Sequence, residues 1–168
     1  MRLSEYTDYT LRVLMYCAAR RDRLVTIAEI AEVHQVSKNH LMKIVNDLAR
    51  QGVIETTRGR GGGLRLLKPP SALRIGDVVR AAETDFRLVE CFDPATDTCR
   101  LTPSCRLKAV LGRAQKAWFD ELDGVTLADI SGADEASPPS PRRTIRVLAA
   151  PAAAPRRGAR AKGGAVSR

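Results

Sequence analysis

The chain has 168 residues, a net charge of +9 and 4% aromatic residues, enough for one modest domain with an accessory element and a core built mainly from Leu, Ile, Val and Ala. No stretch approaches the roughly 18 apolar residues of a membrane span, and the opening MRLSEYTDYT is charged with no apolar run behind it, so neither a membrane helix nor a signal peptide is expected. These features point to a cytoplasmic protein, a setting in which clustered cysteines more often bind metal or do redox work than form structural disulfides.

In chain order, residues 4–20, SEYTDYTLRVLMYCAAR, set Leu11, Leu14, Met15 and Ala18 at helical spacing and predict a first helix. Thr26-Ile27-Ala28-Glu29 has the form of a capping box and opens a short helix through about Val33. His34 reads as a surface residue. After the turn QVS, Ser37 is suited to cap a third helix whose Leu41, Ile44, Val45 and Leu48 make one apolar stripe, with Gly52 as its stop. VIETT (53–57) and LRLLKP (64–69) read as the strands of a hairpin tipped by RGRGGG. A short helix over Ile75–Glu83 follows, then a cysteine loop from about Leu88 to Thr102. Thr102-Pro103 has the N-cap and N1 signature that starts a long helix. Leu107, Val110, Leu111, Ala114, Trp118 and Leu122 run along it as a continuous stripe. From Ser131 onward Ala, Pro, Gly and Arg dominate without an aromatic residue, which reads as a disordered basic tail.

The charge is unevenly spread. Residues 1–36 balance at zero, residues 69–130 come to −2, the segment from Ser131 carries +6, and the 32 residues 37–68 carry +5. Ahead of the tail, the positive excess therefore lies in one window, a focused patch of the kind that meets phosphates. Two short helices joined by a tight turn and followed by a glycine-tipped hairpin predict a winged helix-turn-helix, mainly α with a small β-hairpin wing. Its second helix would enter a major groove with Ser37, Lys38, Asn39, His40, Lys43 and Asn46, short polar groups at base edges and lysines on phosphates. On the wing, Arg58 and Arg60 would pair with phosphates or enter a minor groove, with Gly61, Gly62 and Gly63 allowing close backbone approach. A helical domain with a merely solvated basic face is the plainer alternative. RGRGGG lacks both the third glycine of a dinucleotide fingerprint and the Lys-Ser/Thr of a phosphate loop. With no catalytic His–carboxylate set either, an enzyme is not expected.

CFDPATDTCRLTPSC, residues 91–105, separates Cys91, Cys99 and Cys105 by seven and five residues. An odd number cannot pair off within the loop, and no C-x2-C turn of the zinc-ribbon type occurs. Soft thiolates on such a loop suit an iron–sulfur cluster, with redox-exchanging thiols and zinc left open. Cys105 falls near N3 of the predicted long helix, where the dipole favours its thiolate. Cys17, on the apolar side of the first helix, reads as a small buried residue.

TDYTLRVLMY, VSKNHLMKIVNDLARQGVIETTRGRGGGLRL and three cysteines ahead of a long helix resemble the bacterial winged-helix transcriptional regulators that carry iron–sulfur clusters, over about residues 1–127. NHLMKIVNDL and GRGGGLRL are most similar to the nitric-oxide-sensing branch of that family. The resemblance implies a homodimer paired through the long helix, with one cluster per subunit ligated by Cys91, Cys99 and Cys105. It implies too that Asp8, reaching over from the partner subunit, completes the site. The cluster-assembly branch uses a histidine just after the third cysteine, where this chain has Arg106 and Leu107. Three cysteines and one oxygen suit [2Fe–2S] or [4Fe–4S], of which [4Fe–4S] is favoured. The implied function is a repressor that holds a palindromic operator in double-stranded DNA and releases it when nitric oxide nitrosylates the cluster. The alternative signal is iron–sulfur, oxygen or redox status. The implied organisation is a winged domain over 1–83, a cluster loop and dimerisation helix over 84–130, and the tail over 131–168.

Overall fold

A computed structural model describes residues 2–132; the tail read as disordered lies, from residue 133 onward, outside them. Six helices, α1 (Glu5–Ala18), α2 (Ile27–His34), α3 (Lys38–Arg50), α4 (Ile75–Ala82), α5 (Arg106–Asp123) and α6 (Leu127–Ser131), surround one antiparallel hairpin of β1 (Ile54–Thr57) and β2 (Gly63–Leu66). This is a mainly helical winged helix-turn-helix with a long following helix. The hairpin pairs Ile54 with Leu66 and Thr57 with Gly63. Val25, just ahead of α2, exchanges both backbone hydrogen bonds with Leu64, at 3.0 and 2.8 Å, and so ties the wing to the helix pair.

Helix α1 packs against α2, α3, α4, α6 and β2. A helix enclosed on several sides has no single apolar stripe, and the predicted one is correspondingly altered. Val13 and Tyr16 join Leu14, Ala18 and Cys17, the last buried as expected, in the core, while Met15 is 36% exposed. Thr26 caps α2 by accepting the Glu29 N–H at 3.1 Å. The other half of the expected box does not form, because the Glu29 carboxylate turns to the Tyr16 hydroxyl, at 2.6 Å, and to Arg23. Those partners, Arg23 first and then Tyr16, pull its pKa down to about 2.

The long helix starts later than Thr102-Pro103 predicts. Thr102–Ser104 make a separate 3-10 turn, and Cys105 is the N-cap of α5, not its third residue. Its Sγ accepts the Lys108 N–H at 3.4 Å, a capping role that keeps the cysteine backbone extended. At the other end, Trp118 and Leu122 pack on the core, and Arg80 grips Asp123 with two hydrogen bonds of 2.6 and 2.7 Å. Gly76 permits this approach of α4 to α5, since a Cβ there would lie 1.8 Å from Asp123 Oδ1. Leu107 and Val110, on the first turns of α5, are 62% and 48% exposed.

Helix α6 was not foreshadowed by periodicity. Thr126 and Asp129 form a reciprocal capping box, and Leu127 is fully buried as α6 packs on α1. Backbone bonds Leu127 N–H to Leu73 O (2.8 Å) and Ile75 N–H to Val125 O (2.9 Å) fasten the α5–α6 turn beside α4. Among the described residues no helix is long and apolar enough to cross a membrane.

Candidate nucleic-acid interface and cysteine loop

Helix α3 buries Leu41, Ile44, Val45 and Leu48, which turns Ser37, Lys38, Asn39, His40, Lys43 and Asn46 outward, all exposed. Ser37 is already engaged, its hydroxyl accepting the His40 N–H at 3.4 Å as the helix cap. Arg58 and Arg60 are exposed on the wing. The wing glycines answer first to internal geometry. A Cβ on Gly62 would sit 2.2 Å from the Thr57 carbonyl oxygen, so the turn closes only with glycine there.

Ion pairing sorts the basic window. Asp47 is held by Arg50, and Glu55 pairs with Arg65 at 2.7 Å. These are the only acidic side chains between residues 37 and 68. Lys38, Lys43, Arg58, Arg60 and Lys68 form no ion pair among the described residues. The excess of the window is therefore carried by cations on the outer face of α3, on the wing tip and just after β2, free to meet an external anion.

Two tyrosines of α1, not foreshadowed by the motifs of α3 or the wing, support this face. Tyr9 of α1 stacks on His40 with ring centroids 6.4 Å apart and an interplanar angle of 28°. Tyr6 lies under Lys43, whose Nζ is 5.7 Å from the ring centroid, and donates its hydroxyl to Asp47 at 2.7 Å. Burial first, and then this bond, push the Tyr6 pKa up to about 12. The signal available in the sequence was Tyr-x-x-Tyr, one helical turn apart on α1.

His34 is not the surface residue expected. Its Nε2 is buried without a hydrogen-bond partner, and its ring meets Tyr16 edge-on at 5.7 Å. Loss of solvent, then the charges of Arg12 and Arg20, lower its pKa. Asp8 is half-exposed on α1 and pairs one turn on with Arg12 at 2.7 Å.

The cysteine loop is ordered by its aspartates. Asp93 accepts the Ala95 N–H at 2.9 Å and Arg87 at 2.7 Å. Asp97 accepts the Cys99 N–H at 3.0 Å and the Thr102 hydroxyl at 2.9 Å. Asp-x-(N–H) turns of this type account for the repeated Asp in DPATDTC. Cys91 is buried, Cys99 and Cys105 are partly exposed, and all are free thiols. By donor chemistry these soft ligands fit an iron–sulfur cluster, and Cys105 Sγ turns to the first turn of α5, where it accepts the Lys108 N–H. Among the described residues no three His, Cys, Asp or Glu side chains are gathered as a metal-holding group. The fold thus supplies the thiols on one loop, with Asp8 outside any such group.

The profile of the Rrf2 family, described as iron-dependent transcriptional regulators, matches residues 3–133. The chain belongs to the Rrf2 family. A relative from Bacillus licheniformis named HTH-type transcriptional regulator NsrR is 50% identical over 131 residues, spanning 77% of this chain and 92% of that protein. Among solved structures, CymR, the global cysteine regulator of B. subtilis, is similar at TM-score 0.64 and 23% identity, covering 80% of this chain and 99% of that one. T. potens IscR is similar at TM-score 0.62 and 24% identity, covering 81% and 90%. These two likenesses establish the Rrf2 fold alone. As an Rrf2 member the protein is a DNA-binding transcriptional regulator, not an enzyme.

Proposed function

We propose that this Rrf2 protein is a cytoplasmic, iron–sulfur-dependent repressor that binds a palindromic operator as a homodimer and releases it in response to nitric oxide. One observation carries the DNA-binding surface: within residues 37–68 both acidic side chains are neutralised internally, leaving five cations free on α3, the wing and the segment after it. Lys38, Lys43, Arg58 and Arg60 would meet phosphates, while Asn39, His40 and Asn46, with the Ser37 hydroxyl, would read base edges. Gly61 and Gly62 keep the wing tip free of side chains that would hold the backbone off the DNA. The division of labour is a winged domain over 1–83 that reads DNA and a segment over 84–130 that carries the cluster loop and pairs subunits. The exposed Leu107 and Val110 on α5 support that pairing.

Cys91, Cys99 and Cys105 would hold the cluster, [4Fe–4S] by preference, with Asp8 of the opposite subunit as the fourth ligand. When bound, the cluster supplies iron that reacts with nitric oxide. What this chain contributes is a loop tied at one end to α4 and at the other to the N-cap of α5, so the state of the thiols reaches both the winged domain and the pairing helix. The 50% identity to a protein named NsrR supports nitric oxide as the signal.

The test is anaerobic purification, an absorption spectrum with iron and sulfide counts, and operator affinity before and after stoichiometric nitric oxide. The expected result is a coloured dimer whose operator affinity falls roughly 100-fold as simultaneous half-site binding is lost. Unchanged affinity after the colour has gone would overturn nitric-oxide sensing. Release by oxygen or iron depletion alone would replace it with sensing of iron–sulfur or redox status.

A further inference from the structure

Glu83 stands at the boundary between α4 and the segment that carries the cysteines, and its carboxylate reaches back to the start of α1. Glu83 Oε2 accepts the Ser4 backbone N–H at 2.9 Å and the Thr7 hydroxyl at 2.8 Å. Ser4 is the N-cap of α1, its hydroxyl accepting the Thr7 N–H at 3.2 Å and its carbonyl accepting the Asp8 N–H at 3.0 Å. Thr7 is fully buried. One carboxylate therefore braces the helical turn that presents Asp8, from the last position before residues 84–105. A negative charge at the N-terminus of α1 also suits the helix dipole.

We propose that Glu83 is a positioning residue that couples the two cluster sites of a dimer. This rests on the reading above, in which each subunit holds a cluster with its own cysteines and lends Asp8 to its partner. The cysteine loop of a subunit and the Asp8 it lends then meet through Glu83. Relaxation of the loop on one side shifts Glu83, loosens the Ser4–Thr7 turn and withdraws Asp8 from the other site. A dimer accordingly gains and loses its two clusters together, which makes release from DNA steep in the signal.

Glu83→Gln keeps the shape and removes the charge, and Thr7→Val removes only the hydroxyl that Glu83 accepts. In the full-length protein without cluster, hydrogen exchange at the Thr7 and Asp8 amides should quicken about tenfold in Glu83→Gln, with α3 unchanged. Unchanged exchange would overturn the brace. In cluster-loaded dimers treated anaerobically with sub-stoichiometric nitric oxide, native mass spectrometry counts dimers holding one cluster. These should be scarce in the wild type at half loss, and should rise in both variants toward the roughly half expected of independent sites. A statistical population already present in the wild type, or all-or-none loss retained in both variants, would overturn the coupling while leaving the cluster reading intact. A wild-type protein that loads no cluster removes both, with the exchange result still deciding whether Glu83 braces α1.

Discussion

Tyr9 and His40 lie stacked across the α1–α3 contact, ring centroids 6.4 Å apart. The exposed His40 of α3, the helix proposed to read base edges, is thus held in place by a partly buried side chain of α1. Tyr9→Ala should free the His40 rotamer and cost about 1 kcal/mol of operator binding, the scale of one aromatic pair, or roughly fivefold in affinity. Tyr9→Phe should retain wild-type binding, since the contact uses the ring. Equal losses on operator and scrambled DNA in a titration would show that His40 reads no base.

Specificity and affinity should separate between helix and wing. Arg60 has no internal partner to compensate, so Arg60→Ala should weaken binding to every sequence alike and lower the salt slope by about one. Asn39→Ala should leave the slope unchanged and narrow the gap between operator and scrambled DNA by about 1–3 kcal/mol. Titrations on both DNAs at several salt concentrations measure the two quantities together.

Cys17 should behave unlike the loop cysteines. It is 2% exposed, and burial first, then the nearby Glu29, push its thiol up to about 12. In the folded protein it stays neutral and inert, so a thiol reagent at pH 8 should label the partly exposed Cys99 and Cys105 readily, the buried Cys91 slowly, and Cys17 only on unfolding. The sign for stability follows from the raised value. Unfolding frees Cys17 to ionise near its ordinary pKa of 9.0, so its contribution is complete below about pH 9 and is lost as pH rises through 12. Cys17→Ala should flatten that alkaline decline in denaturation midpoints. Labelling of Cys17 in the native protein would contradict its burial.

Much of this molecule follows from local chemistry. The Leu41–Leu48 stripe, the Ser37 cap, the glycine-tipped hairpin and the +5 window are set by residues close in the chain, where 3.6-residue periodicity, capping and turn geometry act without reference to distant segments. The three-cysteine loop is legible for the same reason: one segment holds three of the four thiols and the aspartates that turn it. What depended on distant partners could not be read this way. The burial of Val13 and Tyr16 came from α1 being enclosed by four helices and β2, and the burial of the His34 nitrogen from Tyr16 beside it. Glu29 left its expected cap because Arg23 and the Tyr16 hydroxyl were better partners. Cys105 became a cap because the chain around Pro103 closed into a 3-10 turn first. Helix α6 was visible locally only as Thr126-x-x-Asp129, and its place on α1 was decided by Leu127, whose burial against a helix some 110 residues earlier is a tertiary contact that no short window of sequence contains. Local free energies settle which residues are helix, strand and turn; which face of each is buried, and which charges remain free for DNA, is settled only when the elements meet.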